Sequence, residues 1–238
     1  MTDRRSGEST PDRAFDGPAG PDDRPPAVLI LDLDRTLVDV EPFVDYCGAL
    51  AELRRIFPDE TVASVDRAWG SCTRTAMALL AARSADPAWP RASAAIERYE
   101  LEGIERSRPM PGLAEFVGRI DPERTAVVTL LTDRGAERTL ARHGVPRPAV
   151  IVGRRAGLRP KPSPDPLLAA LRDLGAPPAA VMVGDSEVDE AAARAAGVRF
   201  VGLTNGRAEH GFGAGTLVVR DLAEATTALM RLGVLGRS

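Results

Sequence analysis

Short runs of consecutive apolar residues recur along the chain, separated by stretches whose apolar positions return every three or four residues. AVLILDLD begins at Ala27. Runs of the same kind follow at 124–132 (RTAVVTLLT), 148–153 (PAVIVG), 179–185 (AAVMVGD) and 198–204 (VRFVGLT), with TLVV at 216–219 as a candidate edge strand. They are short, partly β-branched and bounded by turn residues, which predicts strands buried on both faces of a parallel sheet. GLAEFVGRI, RGAERTLARHG, PDPLLAALRDLG and EVDEAAARAAG lie between them at helical spacing, and Gly144, Gly175 and Gly197 stand where helix C-caps are expected. Alternating strand and helix predicts an α/β fold, a Rossmann-like parallel sheet sandwiched by helices.

Two regions break the alternation. Residues 1–26 are rich in Pro, Gly, Asp, Arg and Ser with Phe15 as their one aromatic, so they are expected to remain a disordered tail. From Glu41 to about Arg108 no strand-like run occurs; the Ala- and Arg-rich amphipathic text predicts three or four helices. This helical insertion, placed at 42–108, leaves 27–41 and 109–238 as the core domain. Both ends of the insertion are expected near the end of the first strand, its return marked by Arg108-Pro109-Met110-Pro111-Gly112.

The 238 residues are 44% hydrophobic and 27% charged, a globular composition without the roughly 20-residue apolar run a membrane span needs. No apolar segment with a cleavage site opens the chain, so the expected address is cytoplasmic. A net charge of -3 without a basic block argues against nucleic acid or anionic lipid as partners, and the oligomeric state is not legible. Cys47 and Cys72 are too few for a disulfide framework or a zinc site and are expected as free thiols. One compositional feature adds information: of 31 basic residues only Lys161 is lysine. A compact ammonium and a planar guanidinium are not equivalent, so Lys161 marks a position where arginine does not serve.

Candidate chemistry gathers at the strand ends, where open parallel sheets place their ligands. Asp32 and Asp34 close the first run, and strand alternation sends both to the same side with Leu33 opposite. Asp185 and Asp189 follow the AAVMV run at another strand-to-helix turn. Close like charges call for a cation or a shared proton, and an all-carboxylate set suits Mg²⁺ rather than zinc. Thr132, at the end of VVTLLT, is a helix cap or an anion-holding hydroxyl. Lys161 sits between Pro160 and Pro162, which restrict its backbone.

Taken together, DLDRT at 32–36, Thr132, Lys161 in KPSPDP and GDSEVD at 184–189 resemble, in order, the four motifs of the haloacid dehalogenase-like superfamily of phosphohydrolases. Within it the chain is similar to the phosphoglycolate phosphatase-like branch, whose helical cap the insertion resembles. The resemblance implies a phosphatase acting on a small phosphorylated metabolite. Asp32 would be the nucleophile and form an aspartyl-phosphate. Asp34 would be the general acid and then the base, while Thr132 and Lys161 would hold the phosphoryl group, with Asp133 beside them. Asp32, Asp185 and the Asp34 carbonyl would bind Mg²⁺, Asp189 would orient a metal-bound water or Lys161, and Thr36 would brace the loop that carries Asp34.

The same resemblance sorts the alternatives. Family dehalogenases lack an aspartate at the position of Asp34, and phosphonatases need a cap lysine that the insertion does not contain. A phosphosugar mutase and a catalytically weak binding protein remain as alternatives. Arg35 stands where glycine is commonest and is expected to face solvent; Asp133 stands where relatives usually carry asparagine and would repel a bound phosphate. Among the insertion's arginines, Arg54, Arg55, Arg74 and Arg98 are candidates to read a substrate carboxylate, although charged helical faces are usually solvated. Phe43, Tyr46, Trp69 and Trp89 are expected to serve packing.

Overall fold

The structure is a computed structural model that describes residues 27–58 and 70–236. The expected tail over 1–26, Trp69 and the residues just before it lie outside the described residues. In chain order the elements begin with β1 (Val28–Leu31) and β2 (Val38–Asp39), then α1 (Tyr46–Ile56), α2 (Ser71–Ala82), α3 (Trp89–Ile104) and β3 (Arg108–Pro109). They continue with α4 (Leu113–Val117), β4 (Thr125–Val128), α5 (Asp133–Arg142), β5 (Val150–Val152), α6 (Asp165–Asp173) and β6 (Ala180–Gly184). The chain then closes with α7 (Glu187–Ala195), β7 (Arg199–Leu203), β8 (Leu217–Val219) and α8 (Leu222–Arg231).

Six strands pair in the order β5-β4-β1-β6-β7-β8, every pair parallel. β1 therefore lies between β4 and β6, with Leu29 beside Thr125 and Val181. Its side chains alternate as a doubly covered strand requires. Leu29 and Leu31 join an apolar cluster with Phe116, Leu140 and Leu229 on one face. Ile30 joins Val128, Met182 and Leu167 on the other. Full burial of such side chains stabilises by about 1.5–3 kcal/mol each. Each expected strand is present, but shorter than its apolar run. The run at 124–132 leaves the ladder after Thr129: its N–H still donates to the Val152 carbonyl (3.0 Å), whereas the Leu131 N–H turns back onto Thr129 Oγ1 (3.2 Å).

The inserted helices α1 to α3 have an apolar cluster of their own, built around Leu53, Leu79, Leu80, Trp89 and Ile96. Trp89 is buried there, its Nε1 donating to the Leu80 carbonyl (2.9 Å). Both ends of the insertion do meet beyond β1, through an element absent from the apolar pattern. Val38 and Asp39 pair antiparallel with Pro109 and Arg108, forming the two-residue ribbon β2-β3. Nor are Cys47 and Cys72 the expected free thiols. They form a disulfide across a Cα separation of 5.0 Å, joining the first turns of α1 and α2. Counting cysteines could not anticipate this, because the bridge depends on how two helices cross.

Helix ends follow local chemistry. Asp45, Thr132, Ser186 and Asp221 accept hydrogen bonds at the N-termini of α1, α5, α7 and α8. Gly144, Gly175 and Gly197 terminate α5, α6 and α7 with φ of 66°, 82° and 70°, where a Cβ would be strained.

Candidate active site

Asp32, Asp34, Lys161, Asp185 and Asp189 converge at the carboxyl edge of the sheet. β1 ends one residue before Asp32, whose N–H donates to the Val183 carbonyl of β6 (2.9 Å), so the sheet ladder itself fixes the backbone of this aspartate. β6 delivers Asp185 on the adjacent strand. Asp189 is the third residue of α7 and forms a capping box with Ser186: Ser186 Oγ donates to Asp189 Oδ2 (2.6 Å) and accepts from the Asp189 N–H (3.2 Å). This folding back of the carboxylate requires Gly184, because a Cβ there would lie 2.7 Å from the Asp189 carboxyl carbon.

Lys161 ties the acids together. Its Nζ donates to Asp32 Oδ1 (2.8 Å), Asp189 Oδ1 (2.5 Å) and the Val128 carbonyl (2.9 Å), which uses all three ammonium hydrogens. Burial alone would lower its pKa, but the two carboxylates outweigh burial and raise it, so the ammonium stays charged. A guanidinium fork does not fit three partners converging on one point.

The two β1 acids have different surroundings. Asp32 also accepts from Thr36 Oγ1 (3.1 Å), so Thr36 braces Asp32 rather than the loop of Asp34. Burial raises the Asp32 pKa against the opposing pull of Lys161. Asp34 Oδ1 instead accepts from the backbone N–H groups of Val40 (2.8 Å) and Glu41 (3.1 Å). Burial outweighs these bonds and pushes its carboxyl up to about 8, so Asp34 carries a proton at neutral pH. One acid set to stay protonated next to one held by a cation is the arrangement that divides acid from nucleophile.

Carboxylate oxygens of Asp32, Asp185 and Asp189 lie within 4.8 Å of one another, all buried. The Asp185 pKa is raised well above the carboxylate range, first by burial and then by repulsion from Asp32 and Asp189. A hard-oxygen set whose members repel one another fits a divalent cation. The Asp34 side chain is not in this trio.

These residues line a narrow cavity of about 30 Å³. Its other side is formed by Glu41 and, from the inserted helices, Tyr46, Thr73 and Met77. Thr129, not Thr132, brings a threonine to the wall. Thr132 caps α5 through Gly135 N (3.1 Å) and donates to Glu97 of α3 (2.6 Å). The sequence offers VVT and LLT within four residues, and the ladder decides for the first, because Thr129 is the residue at the strand edge. Asp133 is likewise away from the cavity, holding Gly153 N (2.7 Å) and Arg155 (2.9 Å), so it does not oppose a bound anion; the residue after Thr129 is Leu130.

Two arginines enter the picture. Arg35, expected in solvent, has φ of 62° and turns inward, its Nη1 on Glu41 (3.0 Å) and its Nε 3.6 Å from Asp185. Arg207, from the loop after β7, donates to Asp185 Oδ2 (3.2 Å) and to the Asp185 carbonyl (2.7 Å). No sequence signal distinguished Arg207 among thirty arginines. Arg54, Arg55, Arg74 and Arg98 do not line this cavity; Arg98 pairs with Glu52 (2.5 Å).

The haloacid dehalogenase-like hydrolase family model matches residues 29–203, from β1 through β7. The chain belongs to this family. Among haloacid dehalogenase-like hydrolases, the N-acetylmuramic acid 6-phosphate phosphatase of Pseudomonas putida is 29% identical over 184 residues, 75% of this chain and 82% of that protein. A hydrolase from Pseudomonas syringae superposes with a TM-score of 0.64 at 22% identity, over 86% of this chain and 98% of that one. CbbY from Rhodobacter sphaeroides, solved with phosphate, gives 0.59 at 22% identity, over 84% and 96%. Both structural likenesses are likenesses of fold.

Proposed function

We propose that this hydrolase is a Mg²⁺-dependent phosphatase that cleaves a small-metabolite phosphomonoester through an aspartyl-phosphate at Asp32. The observation that carries this reading is the pair of acids just past β1: Asp32, held by Lys161 beside Asp185 and Asp189, and, two residues on, Asp34, its carboxyl pushed up to about 8 by burial. A phosphatase among the relatives supports the same class of substrate.

In this reading an oxygen of Asp32 attacks phosphorus, the bond to the leaving alkoxide breaks, and Asp34 gives its proton to that oxygen. Asp34, now a carboxylate, takes a proton from water as the water attacks phosphorus, and phosphate leaves with Asp32 restored. Asp32, Asp185 and the Asp34 carbonyl would hold Mg²⁺, which when bound neutralises charge on the phosphoryl oxygens. Asp189 fixes Lys161. Lys161, its three hydrogens already bonded, acts on the phosphoryl group through its charge, and Thr129 holds it, taking the part that the sequence motif assigned to Thr132. The insertion over 42–108 acts as a cap that covers the cavity with Tyr46, Thr73 and Met77 and keeps bulk water out of it, apart from the water that is consumed. A cytoplasmic location suits such an enzyme, since charged phosphorylated metabolites do not cross membranes unaided.

The test is phosphate release from a panel of sugar, polyol and short-acid phosphomonoesters with Mg²⁺ and with EDTA, for the native protein and Asp32→Asn. Release that requires both the metal and Asp32 supports the proposal, and the ranking across the panel identifies the substrate. Isomer formation from a phosphosugar without release would replace it by a mutase, and no turnover of any ester by a binding function.

A further inference from the structure

One guanidinium enclosed between the inserted helices and the core has every N–H engaged. Arg154, in the loop after β5, donates through Nε to Ser93 Oγ (3.0 Å) and through Nη2 to the Ser93 carbonyl (3.3 Å) and Glu100 Oε2 (2.9 Å). Its Nη1 donates to Glu100 Oε1 (2.8 Å) and to the Leu130 carbonyl (2.5 Å). The side chains of Arg154 and Glu100 are 0% and 1% exposed. Four of these five bonds go to α3 and the fifth goes to the loop that follows β4.

That loop is part of the cavity wall. Thr129, Leu130 and Leu131 all line it, and the Arg154 backbone N–H also holds the Leu131 carbonyl (2.7 Å). Two successive carbonyls of the loop are thus drawn toward one residue on the side of α3. On that same side Tyr46, another wall residue, donates to Glu100 Oε1 (3.4 Å).

We propose that Arg154 is a positioning residue: seated on Glu100 and Ser93 of α3, its guanidinium clamps the 129–131 loop in the shape that holds the phosphoryl group. The proposal rests on the phosphatase reading above. A buried guanidinium is tolerated only with its charge paired and its donors bonded, and here the insertion supplies the paired charge and four of the five acceptors. When the insertion leaves the core, those partners leave Arg154 and water competes for the Leu130 carbonyl. The loop then loses its clamp. Seating of the insertion and completion of the phosphoryl cradle are thereby one event, which keeps the cradle incomplete while the cavity is open. A lysine keeps the charge but offers three donors from a point, and it cannot serve Ser93, both Glu100 oxygens and Leu130 together.

The experiment compares the native protein with Arg154→Lys, Arg154→Ala and Glu100→Gln. Thermal unfolding verifies that each folds, calorimetric titration with inorganic phosphate in the presence of Mg²⁺ reads the cradle, and steady-state kinetics uses the best ester of the panel. In Arg154→Lys phosphate binding is expected to weaken at least tenfold. Its kcat is expected to fall by about 10²-fold, the scale set by ångström-level misplacement of reacting groups, with KM changed much less. Millimolar guanidinium is expected to restore part of the kcat of Arg154→Ala. Folded Arg154→Lys and Glu100→Gln proteins that bind phosphate and turn over like the native protein would overturn the proposal, as would failure of the native protein to bind phosphate. Phosphate binding that depends on Arg154 in a protein that hydrolyses no ester would uphold the clamp while removing the phosphatase reading.

Discussion

Asp34 concentrates the acid–base argument in one side chain. Its carboxyl is raised to about 8 by burial, so it donates a proton below that pH and has none to give above it. The kcat for an alkyl phosphate should therefore fall above pH 8, and Asp34→Asn should lose about 10² to 10⁴-fold at neutral pH, as measured by phosphate release. Stability follows the same sign. The folded protein holds a proton that the unfolded chain releases near pH 4, so the contribution from Asp34 is complete below that value and is lost as pH rises through 8. Denaturant titrations across this range, native against Asp34→Asn, would expose the slope. Gly184 gives a second test. Adding one methyl in Gly184→Ala pushes against the Asp189 carboxyl, and the displaced Asp189 no longer holds Lys161. Activity should fall by about 10²-fold while the fold survives. A Gly184→Ala protein with native kcat would show that the Asp189–Lys161 contact is dispensable.

At the scale of elements, what the sequence made legible was what is local. Doubly buried strands announce themselves as continuous apolar runs, and α5, α6 and α7 end at glycines that take positive φ. The acids were readable for the same reason, because they stand within a few residues of the ends of strands whose positions the apolar text marks. Features that depend on contact between distant segments were not readable. The β2-β3 ribbon is two residues long on each side, too short for a period-2 pattern to register. Choosing between Thr129 and Thr132 required knowing where the ladder stops. The Cys47–Cys72 bridge depends on the crossing of α1 and α2, and the Arg154–Glu100 pair on the seating of α3. The bridge closes a loop with a sequence separation of 25, and its reduction removes about 3 kcal/mol by the chain-entropy argument. Thermal scans with and without dithiothreitol should show a lower midpoint for the reduced protein, and Cys72→Ser should match the reduced value in both.

Over the whole molecule, a parallel sheet collects the acids that follow β1 and β6 at one edge, and an inserted helical unit completes the cavity over them. Lys161 and Arg207 offset part of this concentration of like charge, and a bound divalent cation would offset more. Mg²⁺ should raise the unfolding midpoint of the native protein, by about 2.7 kcal/mol of stabilisation when its concentration is one hundred times the dissociation constant. Asp185→Asn should lose most of that response, because it removes a charge from the carboxylate trio. Equal shifts in both proteins would place the metal elsewhere. Asp32 is the residue expected to carry the phosphoryl group. Turnover quenched in acid within the first catalytic cycle, followed by peptide mass spectrometry, reads this directly. A phosphorylated Asp32 peptide that appears only with substrate and Mg²⁺, and is absent from Asp32→Asn, is the predicted result; phosphate release with the label on another residue, or with no phosphorylated enzyme at any time in the cycle, would contradict it.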